Sequence, residues 1–281
     1  MRTIRASLLV AALTLSALAL APAASAVTIN AGIGNLPPVI VSISLSGLTS
    51  GALSPTAGTT STITATVVAS DPNGATDITG VTVGIIKPDG STVHLAEAAG
   101  TAAGTSGLQA TFTKTLAMNY YDAAALTSSK YSVKATATDS GTPALTGTNL
   151  LSLAVFNYNQ LVALNAPSSI SLSATPGQAG SASGLSVNNY GNVQIDTQVS
   201  GTDLTFSSST ISVGDVAYSL NSDMTSSSAL TGSAVTLSSY NLAPASGASK
   251  SVYFQLTPTI PAGGLPVGTY TGTLTVAAVS G

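Results

Sequence analysis

The sequence predicts an all-β chain: two tandem antiparallel β-sandwiches that follow a cleaved signal peptide. Three observations carry this. Short stretches of alternating apolar and polar residues recur, parted by Gly, Pro, Asn and Asp turns. Beyond the first 26 residues, no helical apolar period persists for three turns. Only 6% of residues are charged, while 80 are Ser or Thr, so neutral, partly β-branched side chains must cover the solvent-facing surfaces.

Residues 1–26 are expected to be the signal. Arg2 and Arg5 make a basic start, Ser7 to Ala21 is an apolar run closed by Pro22, and Ala24-Ser25-Ala26 is a small-x-small cleavage site. The run falls short of the roughly 20 apolar residues that a bilayer span needs. The mature chain is therefore expected to start at Val27, to be secreted to the cell exterior, and to carry no membrane span. Cleavage leaves five lysines (Lys87, Lys114, Lys130, Lys134 and Lys250) against ten acids, a net charge of −5. Without arginine or a basic cluster, nucleic acid is not expected as a partner. There is no cysteine, so hydrophobic cores rather than disulfides must hold the fold. Low charge also leaves little repulsion between copies, which tolerates self-association.

The expected organisation is a leader or donor strand at 27–36, a first sandwich at 37–159, a linker at 160–167 and a second sandwich at 168–281. In the first, Pro37-Pro38 opens a strand at Val39 to Leu45. Thr62 to Val68 puts Ile63, Ala65 and Val67 on one face, and Asp71-Pro72-Asn73-Gly74 is a turn. Val81, Val83 and Ile85 form the next inward set, and Lys87-Pro88-Asp89-Gly90 turns the chain into Thr92 to Ala96. Leu108 to Leu116 follows, then a short helix around Tyr121 to Leu126. Tyr131, Val133, Ala135 and Ala137 line up at period two, and Leu150 to Phe156 closes the unit. The second is expected to use Ile170 to Ala174, Leu185 to Val187, Val193 to Val199, Asp203 to Phe206, Val216 to Leu220, Val235 to Leu237, Val252 to Leu256 and Tyr270 to Ala277. In the last, Leu274 and Val276 oppose a ladder of threonines.

Several of these pieces carry a resemblance. Asn35-Leu36-Pro37-Pro38-Val39-Ile40, Ser70-Asp71-Pro72-Asn73-Gly74, Ile86-Lys87-Pro88-Asp89-Gly90-Ser91 and Tyr131 to Asp139 resemble immunoglobulin-like surface modules of the cadherin-like and PKD kind. Asn189-Tyr190-Gly191-Asn192 and Pro266 to Thr273 are similar to β-sandwich modules of prokaryotic surface proteins and fibre subunits. The resemblance implies two tandem immunoglobulin-like sandwiches and an extracellular compartment. It implies no activity.

The inventory for catalysis is thin. His94 is the single histidine and Glu97 the single glutamate, and three residues apart on a strand they face opposite sides. No Ser lies in a nucleophile-elbow sequence, so His94 is expected to be a solvated surface residue and the chain not to be an enzyme. The one acidic cluster that invites a metal is Asp71, Asn73 and Asp77, oxygen ligands at a spacing like that of a Ca²⁺ loop, although the later acids of an EF-hand are missing. Convergence of Asp139 from a neighbouring loop would strengthen it; a self-capped turn is the simpler expectation. No other cofactor is expected. Carbohydrate binding would rest on Tyr120-Tyr121, in a chain without Trp. Lys134 is the residue to check for an isopeptide crosslink, against a solvated outward lysine.

The function expected is a non-catalytic structural protein of the cell surface or an extracellular fibre subunit. It would self-associate, or bind other surface proteins, by β-strand addition with Val27 to Ile33 as donor. The alternative is an adhesin or ligand-binding module for carbohydrate or protein.

Overall fold

A computed structural model describes residues 34–126, 128–175, 177–257 and 265–281. The expected signal segment and leader residues 27–33 lie outside them.

Period-two alternation builds the first sheet pair. β1 (Val39–Ser46), β3 (Thr60–Ser70), β7 (Gln109–Asn119) and β6 (Thr101–Ser106) form one sheet in the order β1-β3-β7-β6. β3 and β7 pair antiparallel from Thr60↔Asn119 to Ser70↔Gln109 without a shift. Ile63, Ala65, Val67 and Ala69 are buried on that ladder, as their spacing requires. The second sheet runs β2 (Ala52–Leu53), β10 (Val155–Tyr158), β8 (Tyr131–Asp139), β4 (Ile78–Ile86), β5 (Val93–Ala99), and β9 (Thr146–Thr148) also pairs with β8. Val81, Val83 and Ile85 face inward, with Val133, Ala135 and Ala137 on the next strand. Inward residues of both sheets meet in one hydrophobic cluster, a sandwich-like arrangement.

The second sheet set starts inside the stretch expected to be linker. β11 (Leu164–Asn165) pairs with β12 (Ser183–Asn189), and the sheet continues β19 (Ser249–Leu256), β16 (Val216–Ser219), β17 (Ser228–Ala229). A three-stranded sheet, β18 (Val235–Leu242), β13 (Ile195–Gly201) and β20 (Leu274–Ser280), and a hairpin of β14 (Leu204–Phe206) with β15 (Ser209–Ile211) complete it. These surround a separate cluster that includes Val187, Ile195, Val199, Tyr240 and Phe254. Among the described residues every strand pairing is antiparallel except β2 with β10, and Leu36–Gly281 groups as one unit.

Four expectations need correction. Leu150 to Phe156 is not one strand: Leu151–Leu153 is a 3-10 turn, and the paired strand is Val155–Tyr158. The stretch from Tyr121 to Leu126 is a loop, not a helix. Its backbone groups are taken elsewhere: Tyr131 donates its hydroxyl to Ala123 O (2.9 Å), and Ala125 exchanges both backbone hydrogen bonds with Tyr158. Ile170 to Ala174 forms no ladder, yet Ile170, Leu172 and Ala174 do lie against the second core. Alternation there reports a covered face without a paired backbone. The final strand begins at Leu274 rather than Tyr270, because Thr271 leaves to bridge Thr205 across both backbone bonds. β6 was not legible: its six residues are small, uniformly exposed and without alternation.

Candidate functional site

Three acidic residues meet at one end of the first sheet pair. Asp71 follows β3, Asp77 ends the 3-10 turn Ala75–Asp77, and Asp139 ends β8. One carboxylate oxygen from each lies within 4.8 Å of the other two. Asp71 is 0% and Asp139 2% exposed, whereas Asp77 is half-buried. Neutral donors reach each of the three. Asp71 Oδ1 accepts from Asn73 N (2.7 Å), Asp139 Oδ1 from Gly141 N (3.1 Å) and Leu145 N (2.8 Å), and Asp77 Oδ1 from the Ser140 hydroxyl. The other oxygen of Asp71, Oδ2, is buried without a hydrogen-bond partner. Asn73 spends its side-chain oxygen on Leu36 N (3.0 Å), where the chain leads into β1. The sequence spacing thus marks the loop, and the fold adds Asp139 by pairing β8 beside β4, with Ile78 opposite Asp139.

His94 is not a solvated histidine. Its side chain is 11% exposed, Nε2 lies 3.1 Å from Asp122 Oδ2, and its ring meets Tyr131 edge-on at 5.3 Å. Asp122 Oδ2 also accepts from Asn119 N (2.5 Å). Asp122 is the polar partner His94 has among the described residues, so the pair closes a loop over the first core and presents no hydroxyl nucleophile to a base. Only the contact across the loop reveals this; nothing in the spacing of positions 94 and 122 signals it.

Glu97 faces away from His94, as strand geometry requires. It pairs with Lys134 (2.7 Å) and accepts from Thr82 (2.8 Å). Burial raises the Glu97 carboxyl, but hydrogen bonds from Lys134, Thr136 and Thr82 outweigh it and leave the group below its usual range. Lys134 is therefore ion-paired, not simply solvated. Asp89 is a turn residue: hydrogen bonds from Thr92 and Ser91 hold its carboxyl well below the ordinary carboxylate range.

Tyr120 and Tyr121 are each half-buried. Tyr120 packs edge-on against Tyr121 at 5.0 Å and against Tyr190 at 5.7 Å, and its hydroxyl accepts from Gly247 N (3.5 Å). Tyr190 belongs to the Asn189-Tyr190-Gly191-Asn192 turn, which clamps the stretch between the two cores. Asn192 accepts from Leu161 N (2.6 Å) and donates to Asn159 O (2.8 Å), while Tyr190 O accepts from Gly58 N (3.1 Å). A Cβ at Gly191 would lie 2.1 Å from Leu161 O, so only glycine allows the approach.

Compared with protein-family models and with curated proteins, the chain matches none.

Proposed function

We propose that the chain is a secreted, non-catalytic structural protein of the cell surface or an extracellular fibre, built of immunoglobulin-like modules and assembled by β-strand addition. The observation that carries this reading is the character of one sheet edge. β20 pairs on one side only among the described residues, keeps its register with β13 throughout, and contains no charged residue or proline. Soluble β proteins usually blunt such edges with Lys, Pro or bulges, because an open edge recruits another strand. β20 is the favoured acceptor. Leu274, Val276 and Ala278 are only partly covered while packed on the second core, so an added strand would complete their burial.

The donor in this reading is Val27 to Ile33 of a second copy. Its seven residues match the seven of β20, and it is uncharged with three β-branched aliphatic side chains. The low charge of the whole chain supports close approach of copies. The closed setting of His94 supports a non-catalytic role.

The test is negative-stain electron microscopy of protein that begins at Val27, beside protein that begins at Gly34. Filaments or linear oligomers that vanish with the leader are expected. Dispersed monomers in both samples overturn strand addition.

A further inference from the structure

We propose that the two cores are held as one rigid body by an uncharged joint centred on Tyr190, which fixes the angle between them. A linker alone does not do this, because modules joined only by a short stretch of chain move relative to one another. Here the stretch itself has no slack. Asn159 donates its backbone N–H to Leu53 O (3.0 Å) and its side-chain amide to Ser54 Oγ (3.0 Å), which ties it to the first half. The carbonyl of the same residue accepts from Asn192 Nδ2 (2.8 Å), which ties it to the second. Leu161 exchanges two hydrogen bonds with Asn192, giving N–H to Oδ1 (2.6 Å) and receiving at O from N (3.1 Å). Ala163 O accepts from Tyr190 N (3.0 Å), and the next residue enters β11.

Two further segments of the first half reach the same residue. Gly58, in the loop before β3, donates its N–H to Tyr190 O (3.1 Å). It also lies against the ring: a Cβ there would stand 2.5 Å from Tyr190 Cδ2, and its φ of 68° already favours glycine. Tyr120, just after β7, meets the ring at 5.7 Å, and its hydroxyl accepts from Gly247 N (3.5 Å). Tyr190 itself belongs to the connection between β12 and β13 of the second half. A hinge needs an axis about which the contacts survive. The linker, the loop at Gly58 and the chain after β7 together leave none.

The chemistry of these contacts sets how the joint responds to its surroundings. Asn192 is 4% exposed, so its two linker bonds are shielded from water. None of the residues that meet at the joint is charged, so salt and divalent ions have no charge there to act on. Tyr190 contributes its ring and its backbone rather than its hydroxyl, so it works by shape, and phenylalanine can stand in for it. The joint goes beyond the assembly proposed above and does not depend on it. A single dispersed chain keeps the same angle.

The test is the distance distribution between two spin labels, one in each half, measured by pulsed electron paramagnetic resonance. The chain has no cysteine, so Ser44→Cys on β1 and Ser238→Cys on β18, both exposed, take the labels alone. One narrow distribution is expected, unchanged by a chelator or by high salt. Tyr190→Phe should keep its width. Gly58→Val and Asn192→Leu should each broaden it about twofold or more, with strand content by circular dichroism preserved. Gly58 lies outside both cores, so its replacement loosens the joint without removing a core side chain. A broad distribution in the labelled parent would overturn the rigid joint, as would an unchanged width in both folded variants. Broadening in Tyr190→Phe, or on adding chelator or salt, would overturn the account of what holds it.

Discussion

Among the described residues, the first core buries twenty-four apolar side chains and has three partly buried ones leaning on it; the second buries fourteen and leaves fifteen only partly covered. Both halves use the same period-two pattern, so the pattern is not what separates them. Ladder length is. β3 and β7 pair over eleven residues, whereas the longest ladder of the second half, β13 with β20, runs over seven. Long unbroken pairing lets one sheet cover the other, and short pairing leaves margins such as β20 half-covered. The first half is built as a closed core, the second as a core with an open side.

Truncation should expose that difference most strongly. Phe156 is fully buried and stacks on Tyr131 at 5.7 Å, so Phe156→Ala should cost about 3–5 kcal/mol. Leu274→Ala on half-covered β20 should cost only about 1 kcal/mol in dispersed protein. Urea unfolding followed by circular dichroism measures both, and equal costs would break the comparison.

Each half also contains one buried asparagine that stands in for a strand. Asn149 accepts from Ala135 N (2.6 Å) and donates to Val133 O (2.9 Å), beside β8 between β9 and β10. Asn189 accepts from Gly191 N (2.9 Å) and donates to Val193 O and Leu242 O (2.9 Å each). Replacing either with Leu strands backbone groups, and each change should cost about 2–3 kcal/mol. If Asn149→Leu is neutral in the same unfolding assay, the first half does not depend on its substitute ladder. Gly191→Val, which drives a Cβ towards Leu161 O, should cost about 1–3 kcal/mol and speed proteolysis near Asn159 to Pro167; unchanged cleavage would mean the clamp is unimportant.

Alkaline titration sets the two cores side by side. Burial, with the Asp122 charge adding to it, pushes the Tyr131 hydroxyl in the first core up to about 12, and burial pushes Tyr240 in the second to about 12. Folded values above the unfolded value mean stability fully present below about pH 10 and lost as pH climbs towards 12. Absorbance at 295 nm should therefore show a late phase that coincides with unfolding by circular dichroism. Early ionisation of either residue would show that its core admits water. The smallest effect is expected at the half-exposed Glu97–Lys134 pair, where Glu97→Gln should cost under about 1 kcal/mol. The Glu97 carboxyl is lowered in the fold, so its contribution is present at neutral pH and fades as pH falls through that lowered value. A difference between wild type and Glu97→Gln that persists in acid would assign the effect to packing instead.

Much of this was legible in the sequence where alternation and a paired ladder coincide. Val81, Val83 and Ile85, Tyr131 to Ala137, and Val252 to Leu256 all show their faces by spacing alone. It fails where one signal occurs without the other. Ile170 to Ala174 alternates yet pairs with nothing, and β6 pairs with β7 through small exposed residues that do not alternate. At the acidic site, Asp71 and Asp77 are close in sequence, but Asp139 joins them through the β4–β8 register, and His94 finds Asp122 across a loop. Such long-range meetings depend on strand order, which local spacing does not encode.

The most direct measurement of the proposed assembly is disulfide trapping, since the chain contains no cysteine of its own. Protein carrying Ile29→Cys would be mixed with protein carrying Ala277→Cys under mild oxidation and run on a non-reducing gel. A covalent species that forms only in the mixture is the result expected if the leader of one copy pairs with β20 of another. Monomers alone, or a product formed equally by Ala277→Cys without its partner, would contradict donor-strand addition at that edge.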